Sequence, residues 1–516
     1  MKRKITHIIL IVTTALVANS CSKWLEVYPR TQLPEHEMFA SEQGFVDAMT
    51  GVYIGMSSES AYGNTFTQRQ LAWAASEWSN LAGGALDFQR HQWHTDDARR
   101  FIESMYKEWY MLIARINTTL QNMERYKDVF TTPNLYETLK GEALALRAFL
   151  HFDLIRFFGP NPERPELGGE HLTYATTVDT DLKYPISFEA YKTKLFEDIV
   201  EAQKLLRNID PIKHFAPNDT RVRSTTIGFL PTNDYFLHRA IKMNYFGAVA
   251  LEARMRLWYG ENARAFEAAM EVINATNPNG EPKFPLGTIA DINAQRRLMQ
   301  NEHIFALHNS FMHMFWRSQY DGGTNFQGTT EGTATSGIVG MFGGPSPSGT
   351  NLNDIRRQLW SLTVATTNPV NRYSTNKYRV PEGSQNNQPN NDIRQRPMLR
   401  ISEMYFIAIE AGDVSTGQKL WDEFADSRRI TRTTLSTDLL ELRTQILVEF
   451  RKELYAEGQL FYFYKRLNSP PSTNWGFPVA APPHGIVFGV FNPGQGILPN
   501  YFPPIPLTEL RFENRN

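Results

Sequence analysis

The chain has 516 residues, with 53 Lys and Arg against 54 Asp and Glu and a formal charge of −1. So even a balance gives no electrostatic footprint for nucleic acid and no polybasic patch for a membrane surface. A single cysteine leaves no disulfide to staple the fold, so stability must come from a large packed core, for which 33 Phe, 21 Tyr and 10 Trp supply bulk.

The chain opens with a basic stretch, Lys2, Arg3 and Lys4, followed by a short apolar run from Ile5 to Val17 that Thr6, His7, Thr13 and Thr14 interrupt. Ala18, Asn19 and Ser20 then lead to Cys21. A run this short and broken reads as a secretory signal peptide over residues 1–20, not as a membrane span. The lone cysteine at its end resembles the lipid acceptor of a bacterial lipoprotein, which makes Cys21 the expected lipidation site. Ala18 stands where such lipoboxes more often carry Leu, and an ordinary signal followed by an accidental cysteine is the plain alternative. Removing Lys2, Arg3 and Lys4 takes away three positive charges and moves the formal charge from −1 to −4. No later segment is long and apolar enough to span a bilayer, so residues 21–516 are expected to form one body behind the anchor.

Apolar residues at three- and four-residue steps mark the helices. The first is predicted from about Asp97 to Tyr126, with Met105, Trp109, Leu112, Ile116 and Leu120 on its stripe. The second, about Tyr136 to Phe158, is apolar nearly all round and so belongs inside a helical layer, with Gly159-Pro160 as its stop. Glu142 and Arg147 within it are expected to satisfy each other, because unpaired burial is costly. A third helix begins at Ser187. A fourth spans about His238 to Tyr259 and a fifth Ala263 to Ile273, across the turn Gly260-Glu261-Asn262. Small residues (Ala248, Ala250, Ala253, Ala265, Ala269) permit close helix contact, in the manner of a tetratricopeptide unit without its strict period. Trp73, Trp109 and Trp258 are expected in the core.

From Tyr320 to Asn353 the chain turns Gly-, Ser- and Thr-rich, and a second polar loop covers Glu382 to Asn391. Helices return over Leu399–Ala411, Gly417 to about Arg429, and Thr437 to about Tyr464. The expected organisation is a helical-pair scaffold over about 97–275 and 399–465. A loop-rich binding region is expected over about 60–96 and 315–395, with an irregular tail over 470–516. Long loops bracketed by strong helices favour a functional role.

Several segments, in order, resemble the SusD/RagB family of Bacteroidetes outer-membrane nutrient-binding lipoproteins. They are CSKWLEVYP after the signal, ALALRAFLHFDLIRFFG, PISFEAYKTKLFEDIVEAQKLL and MNYFGAVALEARMRLWYGENARAFEAAMEVI. The strand-like NEHIFALH, the short TNKY, RPMLRISEMYFIAIEAG, VEFRKELYAEGQLFYFYKRLN and YFPPIPLTEL complete the series. Gln459 stands where the pattern has Arg, Tyr462 where an Asp is common, and the ending FENRN only approximates the usual one. The resemblance implies a mostly α-helical fold of irregular tetratricopeptide-like helical pairs, with a shallow ligand site in the non-repeat part. It also implies a non-catalytic role on the outer membrane. There the protein would capture an oligosaccharide, or in some members peptides, for a SusC/RagA-like TonB-dependent transporter.

Enzymatic readings find little support. Glu449, Glu453 and Glu457 recur at four-residue steps, so they stack along one face instead of flanking a bond, as a glycosidase pair must. An ion network with Arg428, Arg429 or Lys452 explains them better. His303, His308 and His313, spaced by five, match no zinc pattern, and no metal or cofactor site is expected. No nucleophile elbow or phosphate loop appears. An α-helical glycoside hydrolase or lyase therefore stays a distant alternative. Binding chemistry fares better, because sugar C–H faces stack on Trp and Tyr while amide, Arg or carboxylate groups orient the hydroxyls. Trp78, Arg90, His91 and Trp93 form one candidate cluster; Trp316, Tyr320 and Asn325, with Trp360 beyond, form another.

Overall fold

The computed structural model describes residues 34–75, 77–78, 82–162, 169–181, 183–309, 311–320, 329–330, 342, 353–363, 372–379, 394–467 and 501–506. The signal peptide, Cys21, the Glu382–Asn391 loop, most of the Tyr320–Asn353 segment and all of the tail but 501–506 lie outside them. The fold is mostly α-helical, built of irregular tetratricopeptide-like pairs. The scaffold helices are α1 (Glu42–Ser57), α2 (Gly84–Gln89), α3 (Asp96–Arg125), α4 (Leu135–Phe158), α5 (Phe188–Leu206), α6 (Tyr245–Trp258) and α7 (Asn262–Ile273). After a strand β1 (His303–His308) come α8 (Met312–Tyr320) and the short strands β2 (Thr329–Thr330), β3 (Trp360–Thr363) and β4 (Arg372–Thr375). The chain returns through β5 (Gln395–Arg400) to α9 (Ile401–Ala411), α10 (Val414–Arg428), α11 (Leu439–Leu454) and α12 (Leu460–Arg466). Each scaffold helix packs on the next, α3 on α4, α4 on α5, α5 on α6 and α6 on α7; α9 then packs on α7 and carries α10 and α11. One apolar cluster runs through all of them, from Phe39 to Ile505.

Local chemistry explains the boundaries. Thr95 caps α3 by accepting from the Ala98 amide at 3.2 Å, and Ser187 does the same for α5 through Ala190. Gly141 lets α4 approach α5, since a Cβ there would lie 2.7 Å from Leu206 Cγ. The helix α1, absent from the sequence reading, follows Ser41 as its cap and buries Phe45, Met49, Val52 and Met56. β1 and β5 pair antiparallel, which confirms the strand-like NEHIFALH, and a three-stranded sheet has the order β2-β4-β3.

Two predicted helices are shorter than their apolar runs. Instead of starting near His238, α6 starts at Tyr245, capped by Asn244. The preceding residues are drawn elsewhere: Arg239 is fully buried on Asp210 and Glu142, and the Tyr245 amide donates to Asp210 at 2.9 Å. The predicted Thr437–Tyr464 helix divides into α11 and α12 at Tyr455–Gln459. There Ala456 (φ 58°) and Gly458 (φ 74°) are left-handed. Side chains hold this break. Glu77 accepts from the Ala456 amide, Tyr378 Oη donates to the Ala456 carbonyl at 2.8 Å, and Lys377 Nζ donates to the Glu453 and Tyr455 carbonyls at 3.0 Å each. A Cβ at 458 would press to 3.1–3.2 Å on Leu71 and Thr67, a further reason for glycine there.

The buried charges also sort differently from the sequence reading. Glu142 and Arg147 are buried but do not pair. Arg147 binds Asp198 at 2.6–2.7 Å, whereas Glu142 takes Arg239 and the hydroxyls of Tyr53 and Tyr235 at 2.5 and 2.6 Å. Residues from other elements, Asp198 on α5 and Arg239 ahead of α6, supply the counter-charges.

Candidate ligand-binding face

The loop-rich side is built where α8, the β2-β4-β3 sheet and the segment around residues 71–95 meet the break between α11 and α12. Helix α8 turns Met312, Trp316 and Tyr320 inward at four-residue steps. Trp316 Nε1 donates to the Thr375 carbonyl at 2.7 Å, and Thr375 pairs in register with Trp360. The Trp360 ring lies on Tyr455 (4.9 Å between centroids), and Trp78 lies beside both Tyr320 (5.3 Å) and Trp360 (6.5 Å). Trp78 Nε1 donates to the Gln68 carbonyl at 3.0 Å. Four of the rings singled out in the sequence therefore converge, although they are far apart in the chain.

These rings are buried. Trp78 and Tyr320 are 0% exposed, Trp316 and Trp360 5%. They pack together as a buried floor. Two polar atoms in that floor, Tyr320 Oη and Trp360 Nε1, have no hydrogen-bond partner among the described residues, and burial raises the Tyr320 hydroxyl far enough to keep it protonated.

His91 and Trp93 form a second cluster. Their rings stack at 5.0 Å, His91 Nε2 bonds the Ala74 carbonyl at 2.8 Å, and Trp93 meets Phe88 edge-on at 5.2 Å. Burial lowers His91 to about 4, so it is neutral at physiological pH. Gln89 Nε2, donating to the Trp78 carbonyl at 3.3 Å, ties this cluster to the first. Arg90, between them, is exposed. Asn325 lies outside the described residues.

Sequence reasoning pointed to Phe315 beside Trp316 but missed Phe311 and Met314, the most exposed apolar groups here. Phe311 is 60% exposed and Met314 64%, and Phe315, half-buried, sits 6.4 Å from Phe311. The signal was available: once Met312, Trp316 and Tyr320 define the inward stripe of α8, positions 311, 314 and 315 fall on the other face.

The glutamate series Glu449, Glu453 and Glu457 is an ion network. Glu449 binds Lys452 at 2.7 Å and also Arg356; Glu453 binds Arg428 at 2.8 Å and Arg400; Glu457 binds Arg400 at 2.7 Å and Lys377. Arg428 and Lys452 are thus partners as expected, while Arg429 is exposed in the left-handed cap of α10. The guanidinium groups of Arg428 and Arg400 hold Glu453 well below the usual carboxylate range despite its burial. His303 and His308 sit on a strand, and His303 is engaged by the Leu298 carbonyl at 3.0 Å. Among the described residues no group of His, Cys, Asp and Glu is arranged for a metal, and no helix is long and apolar enough to cross a membrane.

Residues 23–215 match the SusD-like family described as "Starch-binding associating with outer membrane". No curated protein matches. Among solved structures, the chain is similar to a SusD superfamily protein from Bacteroides vulgatus (18% identity, 83% of this chain and 89% of that one, TM-score 0.60). It is similar also to one from Bacteroides thetaiotaomicron (19%, 83% and 89%, TM-score 0.56) and to a laminarin-binding SusD-like protein (15%, 84% and 95%, TM-score 0.55). The family match thus covers the first part of the chain, and the fold of these SusD-like structures extends over more than four-fifths of its length.

Proposed function

We propose that the protein is a cell-surface lipoprotein, anchored through Cys21, that captures an oligosaccharide and passes it, uncleaved, to a TonB-dependent outer-membrane transporter. The observation that carries the glycan reading is the loop-rich face. A rigid floor of Trp78, Trp316, Tyr320 and Trp360 backs an exposed ring, Phe311, with Phe315 beside it. Sugar C–H faces stack on such rings, and polar groups at the rim orient the hydroxyls; in this reading the exposed Arg90 belongs to that rim, His91 and Trp93 pack behind it, and Asn325 is a further ligand-binding residue. The family description, and the laminarin binding of one similar protein, support a glycan over other ligands. The one glutamate series that suggested paired catalytic carboxylates, Glu449, Glu453 and Glu457, is committed to arginines and lysines, which supports binding over cleavage by that series.

The test is retention of the protein, released from its anchor by deleting residues 1–21, on a panel of polysaccharides in affinity electrophoresis, with calorimetry on any hit. Peptides serve as a second panel and products are checked for shortening. Retention on a glycan, weakened about tenfold or more in Phe311→Ala and less in Arg90→Ala, is the expected result. Binding to peptides alone, or release of shortened product, overturns it.

A further inference from the structure

A cavity with a water-accessible volume of ≈ 50 Å³ lies among α4, α6, α9, α11 and α12. That is room for about four water-sized spheres, too little for a pyranose ring. Its wall is largely aromatic and aliphatic, with Phe152, Trp258, Phe406 and Phe450 prominent. Arg156, Arg254 and Tyr462 also line it, and all three are more than nine-tenths buried.

Among the described residues, the polar accounts of these three side chains do not close. Arg254 places Nε and Nη2 on Glu403 at 2.6 Å and Nη2 on the Met398 carbonyl at 2.8 Å, leaving Nη1 without a partner. Arg156 gives Nη2 to Asp153 and Nη1 to Gln459 Oε1 at 3.0 Å, leaving Nε. The Tyr462 ring lies 3.8 Å beneath the Arg156 guanidinium, and its Oη has no partner. Burial raises the Tyr462 hydroxyl well above its ordinary range, so it is a donor, and it feels the charges of both arginines. Nearby, Glu410 already serves two guanidinium groups, Arg466 at 2.6 Å and Arg443 at 2.8 Å. Every carboxylate at the cavity is thus committed, and what remains unpaired is donors. Buried donors without acceptors are costly, and a guanidinium edge favours a carboxylate above other acceptors.

Two of the three departures from the resembled sequence pattern fall here as well. Gln459 and Tyr462 both line the cavity. An aspartate at 462 would offer the guanidinium groups a further acceptor, and the tyrosine withholds it.

We infer that this cavity is a site for a short-chain carboxylate of two to about four carbons, its oxygens on Arg156 Nε, Arg254 Nη1 and Tyr462 Oη and its alkyl tail against the aromatic wall. The lining shares no residue with the ring floor or with Phe311 and Arg90, and the inference does not depend on the glycan reading.

The experiment is calorimetric titration of the purified protein with sodium acetate, propionate and butyrate, against sodium chloride at the same ionic strength. Saturable binding of at least one carboxylate is expected, with chloride inert. Tyr462→Phe keeps the ring under Arg156 and should weaken binding about tenfold, the loss of one hydrogen bond to a charged group. Leu257→Phe, at a partly buried position of the lining, should weaken it by filling the space, with no polar group altered. Absence of saturable heat, binding matched by chloride, or affinity unchanged in both variants while their circular dichroism stays native, each overturns the inference.

Discussion

In the scaffold, Glu302, Glu449 and Glu453 share Arg356, Arg400 and Arg428 in one buried network, each carboxylate with two or more cationic partners. Beneath the loop-rich face, by contrast, Trp78, Tyr320 and Trp360 meet around polar atoms that have no partner among the described residues. The first arrangement pairs every carboxylate and leaves Arg400 Nε as its one unpartnered nitrogen among the described residues, so removing one member strands several others. The second leaves donors unsatisfied at a cost of about 1–3 kcal/mol each. Natural proteins retain such atoms where binding offsets the cost, and seldom in parts that serve packing alone. The contrast separates a region that defines the fold from one that holds rings ready beneath a surface.

The strongest challenge to that contrast is Arg428→Met. Arg428 donates to Glu453 at 2.9 and 2.8 Å, to Glu302 at 2.6 Å and to the Gly287 carbonyl at 2.7 Å. Methionine matches much of its volume but leaves two buried carboxylates short of counter-charge, so a stability loss of about 3–5 kcal/mol is expected in urea denaturation. A loss below about 1 kcal/mol would show that water or rearrangement relieves the network and that the scaffold is not overdetermined there.

Acid should act on the same network, with a smaller and graded effect. Beside Lys452 and Arg356, Glu449 is lowered to about 2, and Arg428 and Arg400 lower Glu302 and Glu453. A carboxylate lowered on folding contributes stability that is complete above its unfolded pKa, about 4.3, and lost as pH falls through the folded value. Burial lowers His91 and His303 to about 4 and His151 to about 3, so the unfolded chain takes up those protons first, below about 6.5. Stability should therefore begin to fall near pH 6.5, continue as the histidines' folded values are approached, and drop further between about pH 4.3 and 2 as the network protonates. Urea midpoints measured from pH 8 to 3 would reveal it; a flat profile would mean these groups are solvated in the folded state.

The scaffold was legible in the sequence because its signals are local. Thr95 and Ser187 announce helices through their side-chain caps, and the stripe of Trp109, Leu112, Ile116 and Leu120 repeats within one element. The break at Tyr455–Gln459 was not legible, because Glu77, Lys377 and Tyr378 hold it from distant parts of the chain. Nor was the partner of Arg147, since Asp198 lies on a different helix and the spacing to Glu142 suggested a nearer one. The face fared in between. Its chemistry was readable from Trp and Tyr near Gly-rich loops, and Trp78, Tyr320 and Trp360 do meet. Which rings point outward depended on the phase of α8, and the exposed Phe311 lies just before that helix begins.

The smallest expected stability effects distinguish floor from surface. Trp316→Phe removes the 2.7 Å bond to the Thr375 carbonyl and part of a buried ring, and should cost about 1–2 kcal/mol. Phe311→Ala removes a ring that is 60% exposed, and should move stability by no more than about 0.5 kcal/mol. Affinity for a glycan that the protein retains should run in the opposite order, because the exposed ring can meet a ligand directly while Trp316 acts by holding the floor in place. Measured together, denaturation midpoint and affinity give each residue two coordinates. If Trp316→Phe loses the ligand at unchanged stability, the buried rings open to the ligand and belong to the site itself; if Phe311→Ala leaves affinity intact, the sugar lies elsewhere on this face.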